Sequence, residues 1–333
     1  MGIETQTQFD PPPGVAPVEP GAARNDDRLR PTVAVIVPCY NEEATVHRVV
    51  LGFRAALPDA TVFVYNNNSS DRTVAVAQEA GAVVRHEPLR GKGRVIRRAF
   101  ADVEADIYVL VDGDDTYDAA AAGTLVRLLV DEHLDMVIGA RQAESKAAYR
   151  VGHRFGNVML TGIVRWIFGD RVSDMLSGYR VFSRRFVKSF PALAAGFETE
   201  TEFTIHALEL GMPIAEVSTI YRERGAGSSS KLHTFRDGFR IVRTILILIK
   251  EERPLPFFSI CAAFLLLFGL ALGIPVTLEF FATGLVPRLP TAVLAMGFVL
   301  LSFLSLTCGL VLDSVARGRK EVKRLAYLAL KGI

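Results

Sequence analysis

Two long uncharged runs near the C-terminus constrain the fold of this chain more than any other feature. They cover residues 257–278 and 291–312, and neither contains Asp, Glu, Lys or Arg. Each run of about 22 residues would make ~33 Å of helix, against a hydrocarbon core of ~30 Å. Buried core helices of a soluble protein usually keep a polar face, and these runs have none. The sequence therefore predicts two transmembrane helices within residues 255–313.

Basic residues lie outside this pair of runs rather than between them. The connector holds Arg288, whereas the outer flanks hold Lys250, Arg253, Arg317, Arg319, Lys320, Lys323 and Arg324. Positive charge marks the cytoplasmic side of a membrane. We therefore expect an integral protein of the inner (plasma) membrane, with a cytoplasmic N-terminal domain and a basic cytoplasmic tail over residues 314–333. Arginines among aromatic and aliphatic residues predict an amphipathic juxtamembrane helix over residues 233–254.

Short apolar runs alternate with segments of helical spacing between residues 31 and 232, after a proline-rich stretch, residues 1–30, that predicts a disordered tail. The predicted strands are 32–37, 61–65, 82–86, 107–111 and 136–139, and the predicted helices are 43–56, 71–80, 92–102 and 119–131. This alternation predicts an α/β domain with a Rossmann-like, mainly parallel sheet. Ligands bind such sheets beyond the carboxyl ends of the strands.

Asp112 and Asp114 directly follow the predicted strand 107–111 and are the sharpest chemical signal. Two carboxylates one residue apart at a strand end can reach one divalent ion, and Mg²⁺ or Mn²⁺ prefers such oxygen ligands. The sequence lacks a G-x-G-x-x-G after the first strand and a Walker-type loop, which disfavours a dinucleotide-binding fold. A formal net charge of +2 gives no reason to expect a nucleic-acid partner.

Six motifs in order along the chain resemble those of glycosyltransferase family 2, in the branch that acts on polyprenyl phosphates. That branch includes dolichyl-phosphate mannose synthase and bacterial polyprenyl-phosphate glucosyltransferases. The motifs are residues 35–43 (VIVPCYNEE), 67–73 (NNSSDRT), 90–93 (RGKG), 112–114 (DGD), 174–180 (DMLSGYR) and 227–232 (GSSSKL). The resemblance covers roughly residues 32–250 and implies the GT-A fold. The two C-terminal spans fit the bacterial members.

The resemblance implies a nucleotide-sugar site and a catalytic set. The nucleotide-sugar site would comprise Pro38, Tyr40, Glu42, Asn67, Lys92, Asp112 and Gly113. Catalysis would rest on Asp112, Asp114, Asp174 and Arg180, with the first two holding Mg²⁺ or Mn²⁺. Asp174 would either assist the acceptor or orient Arg180. The family usually has an acidic residue in the second strand's turn, where this chain has Asn66 and Asn67, and this puts the identity of the base in doubt.

A group of basic residues on the C-terminal side of the domain predicts an acceptor-phosphate site. The candidates are Arg141, Arg150, Arg154, Arg222, Arg224 and Lys231. Guanidinium groups bind phosphate in a fork geometry. Their position just before the spans favours an anionic lipid headgroup as the ligand.

The predicted reaction is the inverting, metal-dependent transfer of one sugar to polyprenyl phosphate, for cell-envelope glycan assembly. By resemblance to the bacterial members, the donor would be a UDP-hexose or UDP-N-acetylhexosamine. Two alternatives stay open: a processive membrane glycan synthase, and a non-catalytic scaffold that binds nucleotide-sugar or lipid. The first normally has Q-x-x-R-W, where this chain has Gly162 before Arg165 and Trp166. The intact Asp112/Asp114 pair disfavours the second. The sequence does not decide whether the chain forms a homo-oligomer.

Overall fold

The computed structural model describes residues 31–143, 172–192, 199–222 and 253–332, together with residues 162, 247, 250 and 251. Several predicted features lie outside these residues. They are the N-terminal tail, most of the amphipathic helix over 233–254, and the bases Arg150, Arg154, Arg224 and Lys231.

The described strands form one seven-stranded sheet in the order β3-β2-β1-β4-β6-β5-β7. Their bounds are β1 Val33–Cys39, β2 Thr61–Asn66, β3 Val83–His86, β4 Ile107–Leu110, β5 Met136–Ala143, β6 Arg180–Ser183 and β7 Ile214–Tyr221. β6 runs antiparallel to both of its neighbours, β4 and β5. The other strand pairs are parallel. The predicted mainly parallel sheet is therefore confirmed.

Helices cover both faces of this sheet. The described helices are α1 Val46–Ala56, α2 Thr73–Glu79, α3 Lys92–Asp102, α4 Ala122–Asp131, α5 Arg184–Ser189, α6 Thr199–Leu210, α7 Pro254–Thr283 and α8 Leu289–Leu328. Alternate residues of a strand point to opposite faces. Ala34 and Ile36 accordingly belong to one core with α3, α5 and α6, while Val35 and Val37 belong to the other with α1, α2 and α4. With both faces covered, the strand ends form the accessible edge.

The predicted and observed elements differ at a few points. The strand predicted over 136–139 continues to Ala143. Helix α2 begins at Thr73, two residues later than predicted, and Asp71 Oδ1 accepts a hydrogen bond from the Thr73 amide at 3.0 Å. The domain elements after β5, namely β6, α5, α6 and β7, were not predicted. β6 has four residues, all buried, and so shows no alternation of apolar and polar residues.

The two C-terminal helices form a hairpin whose outer surface is exposed and apolar. Both are long and apolar enough to cross a membrane, and only 11% and 17% of their most apolar windows are buried. Core helices of a soluble domain would be mostly buried. Small residues line the contact between the helices: Ser302 Oγ donates to the Ala262 carbonyl at 2.9 Å, and a Cβ on Gly269 would lie 3.0 Å from Val299. Such close approach through small residues is typical of membrane helix pairs.

Helix α8 does not end with its apolar run. It continues as one helix to Leu328, so residues 314–328 of the predicted basic tail are the end of α8. This part of α8 contacts the α/β domain. Lys323 Nζ lies 2.7 Å from Glu209 Oε2, and the Tyr327 hydroxyl donates to Asp135 Oδ2 at 2.7 Å.

Candidate active site

The carboxyl ends of β1, β2 and β4 bring three polar loops together at one edge of the sheet. Asn41, Asn68 and Asp115 each adopt a left-handed backbone conformation there, with φ of 54°, 63° and 60°. Asn and Asp tolerate this conformation better than other residues with a Cβ. The Asn41 amide donates to Ser69 Oγ at 2.9 Å, and Asn41 Oδ1 accepts from the Ser70 amide at 2.8 Å. The loops after β1 and β2 therefore form one bonded surface.

Two glycines allow the third loop to lie close to its neighbours. A Cβ on Gly113 would lie 2.6 Å from Cys39 Sγ, so the backbone between the two acidic residues packs directly on the end of β1. The Gly113 carbonyl accepts from Thr45 Oγ1 at 2.7 Å. A Cβ on Gly178 would collide with the carboxylate of Asp112. The position of Asp112 thus depends on Gly178 having no Cβ, in the segment that leads into β6.

Lys92, Asp112 and Glu200 form a chain of charges at the centre of this edge. Lys92 Nζ lies 2.5 Å from Asp112 Oδ1 and 2.5 Å from Glu200 Oε1. Burial alone would lower the pKa of Lys92, but the two carboxylates outweigh it and hold that pKa above its usual value. Lys92 is therefore a fixed positive charge beside Asp112.

Glu200 was missed by the sequence analysis. It lies in the first turn of α6 and is 4% exposed. Its negative charge is favourable at a helix N-terminus. A signal was present in the sequence, because Glu198, Glu200 and Glu202 alternate just before an apolar helical run. Only the fold selects the one that meets Lys92.

Asp112 and Asp114 have the chemistry of a divalent-ion site. Asp112 is 29% exposed, whereas Asp114 is buried and accepts from Thr116 Oγ1 at 2.6 Å. Within the described part of the chain, no group of three or more His, Cys, Asp or Glu side chains could hold a metal. A pair of carboxylates nevertheless fits Mg²⁺, which commonly takes one or two carboxylates and completes its shell with substrate phosphates and water.

Cys39 lies buried beside the acidic residues of this edge. Burial, and then the negative charges of Glu42, Asp112 and Asp114, raise the pKa of the Cys39 thiol above its usual value. A thiol in this environment is unreactive. The same negative potential would attract a metal ion.

Asp174 lies beside Arg141, and the two form a bidentate ion pair. Arg141 Nε donates to Asp174 Oδ2 at 2.8 Å and its Nη2 donates to Oδ1 at 2.7 Å. Burial alone would raise the pKa of Asp174, but the hydrogen bonds and charge of Arg141 hold it below the usual value. Asp174 is therefore ionised and a weak base, and it orients Arg141 rather than Arg180.

Arg180 corrects one of the predicted roles. Its side chain is fully buried beneath the sheet edge and is 0% exposed. Its guanidinium donates to the carbonyls of Ser177 and Met175 at 3.0 and 2.7 Å and to Thr204 Oγ1 at 2.9 Å. Burial lowers its pKa to about 10. Since these donors bind buried groups of the protein itself, Arg180 holds β6 and α6 together.

The predicted nucleoside residues lie at the edge with one exception. Pro38, Tyr40 and Glu42 are half-buried at the end of β1, and the Arg90 guanidinium lies 5.3 Å from the centre of the Tyr40 ring. Asn67 instead holds the neighbouring loop: its Nδ2 donates to the carbonyls of Glu87 and Leu89, both at 2.9 Å, and its Oδ1 accepts from Gly91 at 2.8 Å. Its side-chain amide therefore bonds the protein at three points and shapes the loop before Lys92.

Arg222 lies near Asp112 across a cavity of about 430 Å³. The cavity opens between α1 and the segment before α4, and its lining includes Phe53, Tyr117 and both of these charged residues. The Arg222 amide donates to the Thr116 carbonyl at 2.8 Å, which ties the end of β7 to the loop that carries Asp114. The structure therefore brings Arg222 and Arg141 to the side of the acidic edge that includes β5 and β7.

The sheet order and the acidic loop after β4 together define a protein of the GT-A fold. This is the Rossmann-like fold of transferases that use nucleotide-diphosphosugars. Residues 34–190 match the sequence profile of the family described as Glycosyl transferase family 2. The chain belongs to glycosyltransferase family 2, and it is an enzyme that transfers sugars.

Relatives and solved structures agree with this assignment. Glycosyltransferase AglJ of Haloferax volcanii is 30% identical over 299 residues, which cover 89% of this chain and 98% of AglJ. Dolichyl-phosphate hexose transferase of the same organism is 27% identical over 221 residues, covering 66% of this chain and 95% of that protein. Glucosyl-3-phosphoglycerate synthase of Mycobacterium tuberculosis, crystallised with Mn²⁺, uridine diphosphate and phosphoglyceric acid, superposes with a TM-score of 0.52. It is 25% identical, and the match covers 66% of this chain and 78% of the synthase.

Proposed function

We propose that this protein transfers one sugar from a uridine-diphosphate hexose or N-acetylhexosamine to polyprenyl phosphate, with inversion at the anomeric carbon. The observation that carries the proposal is that two features occur in one compact unit. These features are the acidic site at the strand ends and the two exposed apolar helices of membrane-spanning length. A relative named for dolichyl-phosphate as acceptor and a solved neighbour with bound uridine diphosphate support the two substrates.

The donor would occupy the edge formed by the loops after β1, β2 and β4. Pro38, Tyr40 and Glu42 would contact the nucleoside, and Asp112 and Asp114 would hold Mg²⁺ or Mn²⁺. Such an ion, when bound, stabilises negative charge on a departing diphosphate. Lys92 lies within 2.5 Å of Asp112 and would place a second positive charge against the diphosphate. Glu200 would keep Lys92 at this edge when Asp112 binds the metal.

The acceptor would approach from the side of β5 and β7. A phosphate monoester has its second pKa near ~6, so its oxygen is already ionised at neutral pH and needs no strong base. This agrees with Asp174 being a weak base. Asp174 would fix Arg141 so that the guanidinium orients the acceptor phosphate, and Arg222 would neutralise it further. The bases Arg150, Arg154, Arg224 and Lys231 remain predictions.

The reaction would then be a single displacement. The acceptor phosphate oxygen forms a bond to the anomeric carbon while the bond from that carbon to the diphosphate oxygen breaks. The products are a polyprenyl-monophosphate sugar and a nucleoside diphosphate. Holding the two anions in fixed positions supplies much of the rate enhancement, because a bimolecular reaction becomes effectively unimolecular.

Both termini would lie in the cytoplasm, where the basic flanks of the spans place them. The Arg288 guanidinium lies 3.5 Å from Glu279 at the opposite end of the hairpin, so the one basic residue of the connector is paired with an acidic one. Labelling of single cysteines in intact cells tests this topology. Reaction of a cysteine at position 332 with an impermeant reagent added outside would contradict it.

The reaction itself is tested with the full chain in lipid nanodiscs that contain polyprenyl phosphate. A panel of nucleotide-sugars is supplied, the lipid is analysed by mass spectrometry, and the released nucleotide is identified. We expect a lipid monophosphosugar and uridine diphosphate, with no product in EDTA and much less product with the Asp114→Asn variant. NMR of the product checks inversion. Release of uridine monophosphate would mean phosphosugar transfer instead, and activity on phosphoglycerate alone would favour a soluble acceptor, as in the solved neighbour.

A further inference from the structure

The end of α8 beyond its apolar run makes specific contacts with the catalytic domain. We call residues 313–328 the α8 extension. The ammonium of Lys323 lies 2.7 Å from Glu209 Oε2 at the end of α6. One turn later, the hydroxyl of Tyr327 donates to Asp135 Oδ2 at 2.7 Å, and the Arg185 guanidinium lies 4.4 Å from the centre of the Tyr327 ring. Lys323 and Tyr327 are four residues apart and share one face of the helix.

The partners of these contacts are themselves fixed. Asp135 is 0% exposed and accepts from Ser183 Oγ at 2.7 Å and from Arg185 Nε and Nη2 at 3.0 and 2.9 Å. Glu209 is 8% exposed. Charge-assisted bonds to buried carboxylates hold their geometry well. The α8 extension is therefore rigidly attached to the domain at two points.

Both attachment points lead back to the active site through rigid elements. Helix α6 runs from Glu209 to Glu200, which is a distance of ~14 Å. Strand β5 begins next to Asp135 and carries Arg141 at a distance of ~20 Å. On the other side, Lys323 and Tyr327 follow Leu312, the last residue of the uncharged apolar run, by ~16 and ~22 Å of helix. Measured along these elements, the path from the apolar run to the contacts is about as long as the path from the contacts to the site.

We propose that Lys323 and Tyr327 are positioning residues, which hold the active-site edge at the height of the lipid headgroups. The inference rests on the proposed function. The second membrane span and the α8 extension are one continuous helix, so they form a strut from the bilayer to the catalytic domain. Because α6 and β5 lead from this strut back to the site, the site can face the headgroup of a lipid acceptor. Binding of the nucleotide-sugar donor does not depend on the height of the site above the bilayer.

A charge-reversal pair tests this inference. Lys323→Glu places two carboxylates together and should detach the extension, whereas the double variant Lys323→Glu, Glu209→Lys restores the pair with its signs exchanged. Val322→Ala is the matched control, because Val322 is on the same helix turn and is 68% exposed. Tyr327→Phe is a second variant that removes one hydrogen bond and keeps the ring over Arg185. Thermal unfolding identifies any variant that does not fold.

The first readout is independent of the reaction. Leu89, exposed on the loop before Lys92, is replaced by Cys and labelled in a chain whose Cys261 and Cys308 are Ala, and energy transfer to headgroup-labelled lipid is measured in nanodiscs. We expect a short, single distance in the parent, a longer and broader distribution for Lys323→Glu, and recovery in the double variant. Unchanged energy transfer in Lys323→Glu would overturn the proposal. Since no substrate is used, this result stands apart from any failure of the proposed reaction.

The second readout compares two acceptors. Transfer to polyprenyl phosphate in the bilayer should fall on the order of tenfold in Lys323→Glu, because a small displacement of reacting groups is costly. Transfer to a short-chain acceptor dispersed in detergent, and the Kd for uridine diphosphate, should not change. Equal loss with both acceptors would show that the variant damages the site, and it would overturn a positioning role.

Discussion

Replacing Gly178 by Ala should abolish most of the activity while leaving the fold intact. A Cβ at this position would collide with Asp112 Oδ2 and would lie 3.0 Å from Asp112 Cγ and 3.2 Å from Oδ1. Ordinary contact needs about 3.4 Å or more, so the carboxylate must move by roughly 1 Å. Misplacing a catalytic group by ~1 Å can cost ~10²-fold in rate, or about 2.7 kcal/mol. Asp112 is 29% exposed and can move towards solvent, so we expect a stability loss of only about 1 kcal/mol.

The assay measures kcat/KM for the nucleotide-sugar identified by the panel, Mn²⁺ affinity by electron paramagnetic resonance, and thermal unfolding by circular dichroism. Gly123→Ala is the matched control. Gly123 lies in α4, where a Cβ would meet the Ala56 carbonyl oxygen at an ordinary 3.8 Å. Ala stabilises a helix relative to Gly by ~1 kcal/mol, so this variant should keep full activity and gain stability. A folded Gly178→Ala protein with kcat/KM within about a factor of two of the parent would refute the reasoning.

Three further predictions concern charges at the site and in the core. Asp114→Asn should weaken Mn²⁺ binding and lower kcat, because several kcal/mol of transition-state stabilisation by the metal are lost. Titration of the variant's activity against Mn²⁺ checks this, and full activity of the variant in EDTA would contradict it. Glu200→Gln removes one partner of the buried Lys92 and should destabilise the fold by roughly 3 kcal/mol. Glu202→Gln, two residues further along the same helix and less buried, should change the stability less, and denaturant unfolding separates the two variants. Burial, and then the charge of Lys323, lower the pKa of His206 to about 3. Between pH ~3 and ~6.5 the His206 imidazole is protonated in the unfolded chain but not in the folded one. The free energy of unfolding is therefore at its maximum above pH ~6.5 and falls as the pH decreases, by about 2 kcal/mol at pH 5. His206→Phe should flatten this dependence, and an unchanged pH profile of unfolding in that variant would show that another group is responsible.

Much of the fold was predictable because its signals are local. Helix α3 was predicted over 92–102 and is found at Lys92–Asp102. The strands up to β5 were located within a few residues by runs of apolar side chains between turn residues. The rule that ligands bind at the carboxyl ends of parallel strands then selected the loops after β1, β2 and β4. The length and lack of charge of the two C-terminal runs were sufficient to predict helices of membrane-spanning length.

The roles of individual polar and charged residues were less predictable. Arg180 is part of a motif, yet its side chain points into the core, where the carbonyls of Ser177 and Met175 bind it. Asn67 binds the loop before Lys92 rather than facing the edge. In both cases the prediction that the side chain forms hydrogen bonds was right. The sequence does not specify whether those bonds are made to the protein itself or to a ligand at the edge of the sheet.

The sequence by itself determined the alternation of strands and helices as far as β5, the acidic pair at the end of β4, and the two apolar runs. Each of these follows from the pattern of neighbouring residues, since helical and strand periodicities are properties of short segments. Only the tertiary structure decided that Glu200 meets Lys92, that Asp174 binds Arg141, and that the end of α8 attaches to the catalytic domain. Those partners come from distant segments, and their pairing depends on how helices pack on the sheet. A buried charge is stable only beside an opposite charge or a set of hydrogen-bond partners, and it is the packing of the whole domain that supplies them.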